Sequence, residues 1–225
     1  MPRISRGLAD GHWYHVINRG NGRQQVFHKD EDYQAFVDLL AATRKRYALR
    51  IGAWVLMPNH FHLLVQPEQG DELSRGMQWL MTSHVRRYHG HYRTSGHVWQ
   101  GRYKNFIVQE DAHLLTVVRY IEGNPVRVAL AGSARGWRWS SHGENCGAMT
   151  RALTSPLPVP LPEGWTAYVD DALTPGEQER LQRSIDRQAP FGGCAWQEAI
   201  ACRLGLEATM RSRGRPRKAQ ERDKK

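Results

Sequence analysis

An α+β fold, with an antiparallel sheet, helices packed on one face and the ferredoxin-like order of elements, is predicted by three features of the sequence. Residues 51–55 and 61–65 are alternating apolar runs either side of Pro58-Asn59, the pattern of two strands joined by a turn. Residues 30–47 and 71–88 carry apolar side chains at helical spacing and flank that pair. The resulting succession of strand, helix, strand, strand, helix, strand and helix fills residues 1–142. Such a sheet leaves one face free for a ligand, and the histidines of its third strand are expected on that face.

The first strand is expected at Trp13–Arg19 (WYHVINR), ended by the Gly20-Asn21-Gly22 turn. In the first helix Asp30 has the side chain of an N-cap, acidic residues fill the first turn, and Phe36, Leu39, Leu40 and Thr43 share a face. The second helix puts Leu73, Met77, Leu80 and Met81 inward and Arg75, Arg86 and Arg87 outward. Residues 97–108 (HVWQGRYKNFIV) read as a strand or loop-strand facing something acidic, because Trp99, Phe106 and Val108 stand among Arg102 and Lys104. The third helix, 111–123, carries Leu114, Leu115, Val118 and Ile121, and Pro125 is expected to stop it.

At 225 residues the chain can bury one good core with a smaller appendage. Its 32 Lys and Arg against 22 Asp and Glu give a formal charge of +10 and a pI near 9.9, suited to a polyanionic partner. Eight Trp and eight Tyr among those arginines add stacking surfaces of the kind that hold single-stranded nucleic acid. Three scattered cysteines, Cys146, Cys194 and Cys202, rule out a disulfide scaffold or a zinc knuckle and read as reduced thiols of a cytoplasmic protein. No apolar run reaches membrane-spanning length, and MPRISRGLADGHW lacks the apolar core of a signal peptide.

The chemistry concentrates in two places. His60 and His62 stand two apart on a strand and so project from one face, where two imidazoles can hold a divalent metal and leave positions open. A half-exposed polar strand face is the other reading of the same pair. In RYIEGNPVR, Tyr120 and Asn124 are one helical turn apart. A phenol ionises near pH 10, but a metal-bound phosphate and nearby arginines favour the phenolate, and the Asn124 amide oxygen can complete the ligand set. Alternatively, Asn124 ends the helix and Tyr120 is a core aromatic.

Taken together, PNHFHLLV, GHVWQGRYKNFIVQ and LLTVVRYIEGNPVR resemble the REP-associated tyrosine transposases, single-tyrosine members of the HUH nuclease superfamily, over roughly residues 10–142. The resemblance implies a nuclease that cuts single-stranded DNA at short palindromic repeats folded into hairpins, through a 5′-phosphotyrosine and without ATP. It places His60 and His62 on the HUH histidines, Tyr120 on the nucleophile and Asn124 where relatives carry a Gln or Asn ligand. It also implies Mg²⁺ or Mn²⁺ as the ion and a monomer with the whole site in one chain. Arg19, Arg86, Arg87, Trp99, Arg102, Lys104, Arg119 and Arg127 are candidate DNA contacts, as is Tyr103. Because a histidine must be neutral to coordinate, activity is expected to fall as pH drops through about 6.5. A DNA-binding protein with a dead site and a hydrolase using water remain the competing function classes.

Beyond residue 142 the chain divides into a proline-rich linker or strap at 143–176 (with SPLPVPLPEGW), a small helical extension at 177–210 and a basic tail at 211–225. Thr174, Pro175 and Glu177 form a helix start with a capping box, and that helix is expected to reach about residue 188. A further helix at 195–204 reads as a small packed helix or as half of a helix-turn-helix. In the tail, Arg213, Arg215, Arg217 and Lys218 make an AT-hook-like RGRPRK, or a tether held to DNA by charge alone.

Overall fold

Four antiparallel strands in the order β2-β3-β1-β4 form the centre of the computed structural model, which describes residues 7–211. Arg213, Arg215, Arg217 and Lys218 therefore lie outside the described residues. The strands are β1 (Trp13–Arg19), β2 (Leu49–Met57), β3 (His60–Pro67) and β4 (Lys104–Val108), with α1 (Asp30–Arg46) and α2 (Gly70–Tyr92) in the ferredoxin-like positions between them. Helix α1 starts at Asp30 itself, with Lys29 at the cap position, so Asp30 joins Glu31 and Asp32 in an acidic first turn. Helix α2 runs a turn further than its apolar pattern, to Tyr92, whose hydroxyl donates to buried Asp32 and ties the two helices together.

Both faces of the sheet are covered. On one, Val16, Leu56, Phe61 and Leu63 pack against Phe36 and Leu40 of α1 and Leu73, Met77 and Leu80 of α2. On the other, Trp13, Val55, Leu64, Phe106 and Val108 pack against Leu114, Val117, Val118 and Ile121 of α3 (Ala112–Glu122). The expectation of a free face is thus corrected. The reason is visible in β2: Ala53, Val55 and Met57 are as apolar as Trp54 and Leu56, so the strand must bury both of its sides. Each such side chain removed from water contributes roughly 1.5–3 kcal/mol.

After α3 the chain does not stop at Pro125. Gly123 links α3 to the single turn α4 (Asn124–Arg127), in which Pro125 takes an early position where its missing N–H is not needed. Helix α5 (His142–Asn145) leads into the proline-rich stretch, which is a strap: Ser155 N–H donates to Ile51 C=O at 2.7 Å, and Arg50 donates to Pro156 C=O at 2.9 Å. Gly52 permits this approach, since a Cβ there would stand 2.6 Å from Leu157. Next come α6 (Trp165–Asp170), α7 (Pro175–Arg187) with the expected Thr174–Glu177 capping box, α8 (Cys194–Leu204) and α9 (Glu207–Met210). Leu181, Ile185 and Phe191 enter the core of the second face and Ile200 that of the first, so the helical extension packs on the sheet domain and α8 is a packed helix. No helix among the described residues is long and apolar enough to cross a membrane.

Candidate active site

Strand β3 sends Phe61 and Leu63 into one core and His60 and His62 to the opposite face, their rings 5.1 Å apart. Neighbouring β1 sets Arg19 opposite His60 and Ile17 opposite His62. His62 is 1% exposed, and its Nδ1 lies 2.8 Å from Nε2 of the fully buried His15. His60 Nδ1 lies 2.6 Å from Asn59 Oδ1, and the Asn124 side chain is near enough to favour the charged form of the ring. Burial, above all, pulls the histidines below their ordinary 6.5: His15 to about 3, His60 to about 4, and His62 well below. The Arg19 and Arg127 charges add to the effect at His60 and His62. These imidazoles are therefore neutral at neutral pH.

Helix α3 delivers the other half. Asp111 caps it by accepting from His113 N–H at 2.8 Å, and its apolar side is held in the core, which turns Tyr120 toward the histidines. The Tyr120 ring meets His62 edge-on, 5.4 Å between centroids. Asn124, one turn on and buried, donates to Tyr120 C=O at 3.0 Å and accepts from Arg127 at 2.7 Å. The Arg127 guanidinium lies 4.1 Å from the centre of the Tyr120 ring. Arg127 and Arg19 pull the Tyr120 hydroxyl toward ionisation, but burial outweighs them and the net shift is upward. The resting group is therefore a phenol.

Residues 9–124, from just before β1 to Asn124, match the family described as Transposase IS200 like. The chain belongs to this family. It is 24% identical over 135 residues to the REP-associated tyrosine transposase of Escherichia coli K12, covering 60% of this chain and 78% of that one. A Haemophilus influenzae relative is 29% identical over 110 residues, 44% of this chain and 62% of its own. Among solved structures, a REP-associated tyrosine transposase bound to a REP hairpin superposes with a TM-score of 0.55 at 20% identity, over 69% of this chain and 92% of that one. That likeness shows the fold. As an IS200-like transposase the chain is a DNA-cleaving enzyme by family, and the family region contains His60, His62, Tyr120 and Asn124.

Can these residues hold an ion? Among the described residues no group of three or more His, Cys, Asp and Glu is placed to do so. The available donors are two neutral imidazoles and the Asn124 amide, which lies near His60. A proton on His62 Nδ1, directed to His15, leaves the Nε2 lone pair for a metal. The set fits an exchangeable divalent cation, with Arg127 the cation now lying against the Asn124 oxygen.

The other candidates separate into engaged and open groups. Trp99 is 5% exposed, packed against Phe27, Phe36 and Phe61, and offers no stacking surface; its apolar ring is needed in the core. Arg119 is turned away from Tyr120 into the C-terminal segment, where it bonds Asp171 at 3.3 Å and the carbonyls of Asp171 and Ala172. Arg87 pairs with Asp32 at 3.2 Å, and Arg86 stands on the layer across the sheet from Tyr120. Tyr103 is buried with its hydroxyl 3.4 Å from Ser74, also on the α2 side. Arg127 belongs to the site, while Arg19, Arg102 and Lys104 line one cavity beside it. Sequence patterning missed His15, although WYHVINR puts it at the same parity as Arg19. It also missed Gln182 and Asp186 of α7, which reach the cavity from far along the chain with no local signal.

Proposed function

We propose that this transposase is a metal-dependent, single-stranded DNA endonuclease and strand transferase that acts on short palindromic, REP-like hairpin repeats through Tyr120. The observation that carries the reading is the junction of Tyr120, edge-on to His62, with Asn124 bonded to the Tyr120 backbone and to Arg127. The solved relative bound to a REP hairpin supports the substrate class.

His60, His62 and Asn124 hold Mg²⁺ or Mn²⁺ in this reading. The chemistry such an ion supplies is neutralisation of charge on the non-bridging oxygens of the scissile phosphate. Arg19 and Arg127 add positive charge on either side and bind the strand. Tyr120 Oη attacks phosphorus while the bond to the 3′-oxygen breaks. The phenol proton passes to solvent, and the departing oxygen takes up a proton as a 3′-hydroxyl. The 5′-phosphotyrosine so formed is a diester close in energy to the one cut, so an incoming 3′-hydroxyl can reverse the step and join strands. One tyrosine per site holds one strand, in keeping with a monomer.

The test is a denaturing gel of the protein with labelled single-stranded hairpin repeats, with Mn²⁺ and with chelator. A metal-dependent covalent adduct is expected, lost in His60→Ala and His62→Ala and weakened in Asn124→Ala. Cleaved ends without adduct would assign attack to water, and intact DNA would leave a binding protein.

A further inference from the structure

A cavity of about 480 Å³ opens beside the site, within the range of small-ligand clefts, roughly 300–1,000 Å³. One wall is Arg19 at the end of β1 with Arg102 and Lys104 at the start of β4. The facing wall is α7, which presents Gln182 and Asp186 one turn apart on the same helical side. Several arginines elsewhere are paired internally: Arg119 with Asp171, Arg87 with Asp32, Arg50 with Gln66, Arg187 with the carbonyls after α8. Here, among the described residues, the side chains of Arg19, Arg102, Lys104, Gln182 and Asp186 make no hydrogen bond or ion pair, and Arg19 Nε is buried without a partner. Opposite charges face each other across a space that neither closes.

Such a space suits a ligand carrying an anion at one end and hydrogen-bond donors at the other. A nucleotide has that polarity. We propose that the cavity takes one unpaired nucleotide of the DNA strand, its phosphate against Arg19, Arg102 and Lys104 and its base edge against Gln182 and Asp186. Arg19 links it to the site, standing opposite His60 in the sheet. Helix α7 lies beyond residues 9–124, so this base-reading wall is added by the chain's own C-terminal segment. A carboxylate accepts hydrogen bonds from the exocyclic amino groups of cytosine, adenine and guanine. Thymine has no amino group: its one donor, N3–H, lies between two carbonyls that the carboxylate repels. The position filling the cavity therefore discriminates against thymine.

The inference rests on the DNA-acting reading above, and it is tested by binding rather than by cleavage. The full-length protein, held in chelator, is titrated by fluorescence anisotropy with single-stranded oligonucleotides in which each position in turn is A, C, G or T. At one position thymine is expected to bind roughly tenfold more weakly than cytosine. Asp186→Asn, an exposed change that leaves the helix intact, should raise thymine to the level of the others at that position alone. No base preference in the wild-type protein would overturn the proposal. An equal change at every position would do so too, since loss of a repulsive charge by itself has that result. Free dCMP competing as tightly as the oligonucleotide would assign the cavity to a mononucleotide and overturn the strand reading. Adduct formation is scored separately: adduct without base preference sinks the cavity proposal alone, and base preference without adduct sinks the nuclease reading alone.

Discussion

His15 Nε2 stands 2.8 Å from His62 Nδ1, and both rings are excluded from water. A proton shared between these nitrogens decides which nitrogen of His62 keeps its lone pair. With the proton on His62 Nδ1, His15 is the acceptor and His62 presents Nε2 to an ion. His15→Phe keeps the ring volume and removes the acceptor. The Mn²⁺ concentration that half-saturates the protein in calorimetry is expected to rise about 10- to 100-fold, the usual consequence of losing an outer partner of a ligating histidine. An unchanged titration would mean that packing alone orients His62.

Tyr120→Phe removes one oxygen from a residue that is 9% exposed and leaves its packing intact. Melting temperature and hairpin affinity should stay within error while the covalent adduct disappears. Tyr103 is no substitute nucleophile, because its hydroxyl lies on the other side of the sheet beside Ser74. An adduct persisting in the Phe variant, mapped by mass spectrometry, would refute the assignment.

Acid should unfold this protein early. His15, His60 and His84 have folded pKa values of about 3, 4 and 4, below the ordinary 6.5. The unfolded chain then binds more protons than the folded one between about pH 6.5 and 4, so stability falls as pH is lowered through that window and is unaffected above it. Each histidine contributes up to about 1.4 kcal/mol per pH unit. His84 sits among Phe27, Phe36 and Trp99, remote from the site, so His84→Phe should flatten the melting-temperature slope without altering adduct formation. A melting temperature constant from pH 7 to about 4.5 would contradict the argument. The same shift moves the acid limit for metal binding by His60 from about 6.5 to about 4.

Arg119→Ala should loosen the C-terminal segment. The guanidinium holds Asp171 and two carbonyls and lies 4.3 Å from the Tyr168 ring. Losing charged hydrogen bonds of this kind costs about 1.5–3 kcal/mol, less here because the Asp171 carboxylate is largely exposed. Limited proteolysis near residues 170–176 should speed up.

Deleting residues 212–225 should leave cleavage of a short single strand nearly unchanged, since the site and its adjoining cavity are built from residues 15–127 and α7. Duplex binding should weaken, and the logarithmic salt slope should shrink by about 0.9 for each phosphate that the shortened chain no longer neutralises. Arg215→Ala lowering the preference for A·T-rich over G·C-rich duplexes would identify a minor-groove hook; equal weakening on both would identify a charge tether.

The strands and helices of the first 142 residues, the shared face of His60 and His62, and the one-turn spacing of Tyr120 and Asn124 are all legible in the amino-acid order. They follow from the two-residue repeat of a strand and the 3.6-residue repeat of a helix, which act over a few residues. Packing in three dimensions was needed to establish what covers the second face, that Trp99 belongs to the core, that Arg119 and Arg87 are engaged internally, and that His15 backs His62. It alone set Gln182 and Asp186 across from Arg19. Each of those facts depends on partners tens to more than a hundred residues away, and an arginine with a distant carboxylate looks, in sequence, the same as an arginine without one.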